Sequence, residues 1–202
     1  MTGSRRWGAE ELKILSIVAY IFLSFYHGIM LPLWLKFLDQ TSKVVTTLTA
    51  AALLYTRSAG VAYFVTGAVL CSGLTKAVKR AIRQERPPTH SGGKVTYGMP
   101  SSHSSTCTFF ATYIALACLE LPVHPSLPPS AMFAPVVVLP WTFMIVVSRV
   151  RLGHHTWPQV VAGTALGACC ASFWFKLWVD DAAGVKTTAW AAEAMMKSWL
   201  HQ

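Results

Sequence analysis

The stretch SRVRLGHHTWPQ, Ser148 to Gln159, joins two apolar runs, Ala131 to Val147 before it and Val160 to Val179 after it. Runs of this length suit membrane crossing, since about twenty apolar residues span roughly 30 Å of hydrocarbon. The polar stretch therefore reads as a short loop between two hydrophobic helices. Trp157-Pro158 opens the second of them, because proline has no N–H to lose in a first turn. Into this loop the chain puts Arg149, His154 and His155, an arginine six residues before a histidine. That pairing is what a phosphate site needs when its nucleophile is an imidazole.

Composition agrees with a membrane environment. Of 202 residues, 53% are hydrophobic and 12% charged, with a mean hydropathy of +0.45, too few polar groups to coat a soluble globule. The formal charge of +9 is concentrated between Lys76 and Lys94 and at Arg149 and Arg151. Cations beside apolar spans suit an anionic headgroup, on substrate or lipid, rather than nucleic acid. The five cysteines lie inside apolar runs without paired spacing, so neither a disulfide framework nor a zinc site is indicated.

Outward from the loop, the expected fold is all-α: a polytopic membrane bundle of about five to six helices in one domain, residues 1–202, with its core at about 44–180. Leu12 to Leu35 reads as a retained membrane segment rather than a signal peptide, with His27 more simply a packed residue than a functional one. A polar turn at Asp39 to Lys43 precedes VVTTLTAAALLYT, about thirteen residues and marginal as a crossing. A longer helix then runs from Val61 through Val78 until Pro87 and Pro88 stop it. Pro100-Ser101-Ser102-His103 restarts a helix with hydroxyl caps, and Ser104 to Leu121 forms the next span. Lys186 to Leu200 is expected along the interface, with Met195, Met196 and Trp199 opposite Glu193 and Lys197.

Two crossings separate His103 from Arg149, so both reach the same face. Three pieces then converge: Lys79 and Arg86, Ser101 to His103, and Arg149 with His155. Clustered cations disfavour one another unless an anion sits between them, and a phosphate supplies it. Helix N-termini near Ser101 and Trp157 add N–H donors. His154, Lys76, Arg80, Arg83 and His90 have simpler readings as neighbouring, headgroup-facing or solvated groups, and Tyr97 and Trp157 as interface aromatics.

Lys79, six residues, Arg86-Pro87, then Pro100-Ser101-Ser102-His103, then Ser148-Arg149, five residues, His155 resembles the three-part signature of the PAP2 (type 2 phosphatidic acid phosphatase) superfamily. YGMPSSHS and SRVRLGHHTWPQV are most similar to its dolichyl diphosphatase group. The resemblance implies hydrolysis of the terminal phosphate of a dolichyl or other polyprenyl pyrophosphate through a phosphohistidine on His155, with His103 protonating the leaving oxygen. It implies that Lys79, Arg86, Ser101, Ser102 and Arg149 bind phosphate, that no metal or cofactor is needed, and that the site faces the lumen of the endoplasmic reticulum. Two positions depart from the broad pattern: Ser102 stands where glycine is usual, and Gln159 where an aspartate orients the nucleophile. An amide oxygen can still hold the His155 ring N–H but stabilises an imidazolium less. The alternatives are a phosphatase of other lipid phosphates and a non-catalytic membrane scaffold; no protein partner is indicated.

Overall fold

The structure, a computed structural model, describes residues 20, 31–87, 97–122, 128–181 and 184–200. The chain divides into two compact units, Met1–Gln40 and Thr41–Gln202. In the first, helix α1 (Leu31–Asp39) follows the expected run, with the Trp34 and Phe37 rings 5.6 Å apart. Most of the expected N-terminal span, including His27, and the loop holding His90 lie outside the described residues.

Among the described residues the second unit holds six α-helices: α2 (Thr41–Thr56), α3 (Ala59–Ile82), α4 (Ser102–Glu120), α5 (Ala134–Arg151, entered through a 3-10 turn at Pro129–Phe133), α6 (Trp157–Val179) and α7 (Val185–Leu200). Among the described residues there is no strand, only an isolated bridge between Glu85 and Tyr97. The fold is an all-α membrane bundle, and the protein is multi-pass. Helix α3, the 129–151 segment and α6 are long and apolar enough to cross a membrane. Leu70, Val136, Phe143 and Phe173 stand exposed on them as an apolar outer surface.

Helix α4, also expected to cross, is 19 residues long and more polar than these three. Its position explains the composition: it packs against α3, α5 and α6, so Ser104, Ser105 and Thr108 face other helices and are buried. The Ser105 hydroxyl lies 2.9 Å from that of Thr75 and 3.5 Å from the Cys71 sulfur, which satisfies it inside the bundle. Helices α4 and α6 make the most extensive contact. Gly163 and Gly167 permit it, since a Cβ at Gly163 would lie 2.5 Å from the Ser101 carbonyl oxygen, and one at Gly167 would meet the Ser105 backbone.

Further along the same two helices, Phe109, Tyr113, Ala171 and Phe175 join Ala68 and Cys71 in the apolar core. Tyr63 and Trp174 pin α3 to α6: their rings stack 4.6 Å apart and each polar tip donates to the other residue's carbonyl at 3.0 Å. At this end of the bundle Glu193 of α7 accepts the Ala59 N–H at 2.8 Å, a carboxylate on the N-terminus of α3. Met195 of α7 is exposed.

Three expected boundaries need correction. The turn at Asp39 to Lys43 is shorter, because α2 already begins at Thr41. Helix α3 ends at Ile82, before the prolines: Arg83 takes the left-handed conformation (φ 54°) and gives its N–H to the Lys79 carbonyl. Arg86 therefore sits beyond the helix, in an extended segment where Gly98 donates to the Gln84 carbonyl at 2.6 Å. Likewise Arg149 is in the last turn of α5 rather than in a loop, which shortens the connection to residues 152–156.

Candidate active site

One end of the bundle collects the C-terminal ends of α3 and α5 and the N-terminal ends of α4 and α6, as antiparallel crossings require. The polar turn at Leu152–Thr156 folds back on α5: the N–H groups of His154 and His155 both reach the Arg149 carbonyl, at 3.0 and 3.2 Å. Gly153, at φ 70°, makes the reversal a side chain would resist. Arg149 is buried, with its Nε 3.4 Å from the Ser148 hydroxyl. His155 is thus placed by backbone bonds to the residue expected to share its anion.

His155 is 5% exposed and its Nδ1 lies 3.1 Å from Gln159 Oε1, one helical turn on. The same oxygen accepts the Thr156 N–H at 3.2 Å, so Gln159 also caps the start of α6. Burial, first, lowers the His155 pKa from 6.5 to about 4; the Gln159 bond opposes this, while the charges of Arg86, Lys79 and His103 add to it. The charges of Arg86, Lys79 and His103 thus act on the imidazole, and burial favours its neutral form. The Arg86 Nε lies 3.5 Å from the Tyr97 carbonyl oxygen, beside the bridge between Glu85 and Tyr97.

Ser101 is fully buried, and its bonds are structural: its hydroxyl accepts from Ser104 N–H at 3.4 Å and Ser104 hydroxyl at 3.0 Å, and its own N–H goes to the Gln159 carbonyl at 3.0 Å. It shapes the α4 N-terminus, where Ser102 and His103 are half-buried. Lys76, Arg80 and Arg83 are exposed, as expected of headgroup-facing cations. Among the described residues no group of three His, Cys, Asp or Glu side chains could hold a metal ion.

Sequence reasoning missed Gln84, Glu85 and Gly98. Gln159 Nε2 donates to Gln84 Oε1 at 3.2 Å and to the Glu85 carbonyl at 2.9 Å, across 75 and 74 residues of chain. No local pattern announces such a partner; the glycine in YGMPSSHS was the available signal. From His103 an apolar cavity of about 430 Å³ runs between α2, α3 and α4, lined by Val45, Leu53, Val65, Val69 and Phe110 among others.

A buried imidazole under a cluster of cations at helix ends defines the class, and the chain belongs to the PAP2 superfamily, matching it over residues 60–182. Among its relatives, "Dolichyldiphosphatase 1" of Rhinolophus ferrumequinum is 31% identical over 151 residues, covering 70% of this chain and 62% of its own. "Lipid phosphate phosphatase gamma" of Arabidopsis thaliana is 31% identical over 144 residues, 69% and 62% of the two chains. The match thus spans about three fifths of the length of these relatives. The fold is that of a transmembrane PAP2 type phosphatidylglycerolphosphate phosphatase from Bacillus subtilis, with a TM-score of 0.56, 19% identity and 71% coverage of each chain.

Proposed function

We propose that the protein is a membrane phosphatase that removes the terminal phosphate of a dolichyl or other polyprenyl pyrophosphate at the lipid–water interface. The carrying observation is the buried His155, its Nδ1 3.1 Å from Gln159 Oε1, with the charges of Arg86, Lys79 and His103 acting on the ring. In this reading His155 Nε2 attacks the terminal phosphorus. The bridging P–O bond breaks, and His103 passes its proton to the departing lipid monophosphate. Water, deprotonated by His103, then cleaves the N–P bond and releases inorganic phosphate. Lys79, Arg86 and Arg149 balance the phosphoryl charge, with the α4 N-terminus at Ser101, Ser102 and His103 supplying backbone donors.

The apolar cavity that opens at His103 supports a lipid chain as the remainder of the substrate. A relative named dolichyldiphosphatase favours the pyrophosphate, and one named lipid phosphate phosphatase favours a second reading, hydrolysis of other lipid phosphates. Placement in the endoplasmic reticulum membrane with the site facing the lumen, serving dolichyl phosphate recycling for protein N-glycosylation, belongs to the first reading. Phosphate release from dolichyl pyrophosphate, dolichyl phosphate and phosphatidate, by wild type and His155→Ala with a chelator present, tests them together. Preference for phosphatidate overturns the substrate, loss of activity with chelator overturns the metal-free chemistry, and activity surviving in His155→Ala overturns the nucleophile. Glycosylation tags inserted in the Ser91 to Lys94 loop test the luminal face, which an unmodified tag contradicts when a luminal control is modified.

A further inference from the structure

The amide of Gln159 is oriented by two backbone groups whose roles are fixed. The Thr156 N–H, a donor, is 3.2 Å from Oε1, and the Glu85 carbonyl, an acceptor, is 2.9 Å from Nε2. Turning the amide over would set donor against donor and acceptor against acceptor, so Oε1 must face His155. His155 Nδ1 then carries the proton, and Nε2 keeps its lone pair. Gln84 Oε1 takes the second Nε2 proton at 3.2 Å. The Glu85 carbonyl is positioned by the antiparallel bridge between Glu85 and Tyr97 and by the 2.6 Å bond from Gly98 N–H to the Gln84 carbonyl. Gly98 leaves room for the amide, because a Cβ there would fall 2.5 Å from Gln159 Nε2.

We propose that Gln84, the Glu85 carbonyl and Gly98 form an acceptor clamp for the far end of residue 159, making Gln84 and Gly98 positioning residues for His155 and making an amide, not a carboxylate, the group this site accepts at 159. The proposal rests on His155 being the nucleophile. A carboxylate here would turn an oxygen toward the Glu85 carbonyl with no proton between them, and would withdraw from His155 to escape it. The usual carboxylate partner of a nucleophilic histidine is therefore excluded by the chain 74 residues upstream.

The test uses the full chain in lipid nanodiscs. Gln84→Met, at an exposed position where folding is not at risk, removes the acceptor and is expected to lower kcat for lipid pyrophosphate about two- to tenfold with KM unmoved. Gln159→Glu, which keeps the side-chain length, is expected to lower kcat at least about tenfold, and Gln84→Arg added to it to recover part of the loss by supplying a donor. Ring-nitrogen NMR of histidine-labelled protein, with the His155 signal assigned by its loss in His155→Asn, is expected to show the proton on Nδ1 in wild type and a tautomer mixture in Gln84→Met. A proton on Nε2 in wild type, or Gln159→Glu turning over as fast as wild type, overturns the clamp. The NMR signal is read without turnover, so a wild type that hydrolyses no lipid phosphate would sink the proposed function and leave the clamp to be judged by tautomer alone.

Discussion

Replacing Gly163 by alanine is the sharpest test of how the bundle holds its site. The added Cβ would lie 2.5 Å from the Ser101 carbonyl oxygen, 3.1 Å from the Ser101 nitrogen and 3.2 Å from the Ser104 Cβ. The first contact falls about 1 Å short of van der Waals separation, and its partner is backbone, which cannot rotate away. Overpacking of this kind costs about 1–3 kcal/mol, with backbone contact placing it at the upper end, while alanine returns up to about 1 kcal/mol of helix propensity. A net loss of about 2 kcal/mol lowers the melting temperature of a chain this size by roughly 4–8 °C. The displaced residue is the N-cap of α4, which carries His103, and it moves against α6, whose first turn holds Gln159. A shift near 1 Å between two reacting groups can cost about a hundredfold, so kcat should fall at least about tenfold. Gly73→Ala is the control, because a Cβ there meets nothing within 4 Å. Thermal unfolding and phosphate release in nanodiscs read both quantities. If Gly163→Ala melts and turns over as Gly73→Ala does, close approach of α4 and α6 does not hold the site together.

Other outcomes follow from the same geometry. The unfolded chain protonates His155 near pH 6.5 and the folded chain only near 4, so between those values the unfolded state takes up the extra proton and stability falls as pH drops, by on the order of 3 kcal/mol. Melting temperature against pH should show this slope in wild type and lose it in His155→Gln; equal slopes would contradict the depressed pKa. Glu193→Ala removes the carboxylate on the Ala59 N–H and should cost about 1 kcal/mol, seen as a melting temperature lower by roughly 2–4 °C, with kcat unchanged at the opposite end of the bundle. His103→Asn should slow phosphate monoesters more than pyrophosphates, because the poorer leaving group depends more on a proton donor; equal losses would argue against His103 as the acid. Gln159→Asp shortens the side chain away from both His155 and Glu85 and should change the ratio of pyrophosphate to monoester hydrolysis, an unchanged ratio counting against a role for residue 159 in leaving-group preference.

Periodicity and punctuation carried much of the fold. Long apolar runs bounded by proline, glycine and charge mark α3, α5 and α6, and Trp157-Pro158 marks the α6 start to the residue. They failed where a local stop was set by distant pairing. Helix α3 ends at Ile82, with Arg83 turning left-handed and residues 84 and 85 leaving to meet 97 and 98, while the prolines at 87 and 88 suggested a later end. Arg149 lies in α5 because the helix runs on to Arg151, and the chain reverses only at Gly153.

The site divides along the same line. The spacing of the PAP2 signature pointed to His155 over His154, and crossing parity put Lys79, Arg86 and His103 at the same face, an inference that needs only chain order and span count. The partner of Gln159 needs three-dimensional register, which no count supplies. A change from aspartate to glutamine at an orienting position reads from sequence as a weakened catalytic group. In the structure it is matched to its surroundings: Thr156 demands an acceptor at one end of the side chain and Glu85 demands a donor at the other, and only an amide is both. The chemical demand on His155 follows from that match. With an amide behind it the imidazole gains less as it becomes cationic, so under the proposed mechanism a nucleophilic His155 would work best against a phosphorus whose leaving group departs with little assistance, as the lipid monophosphate of a pyrophosphate does.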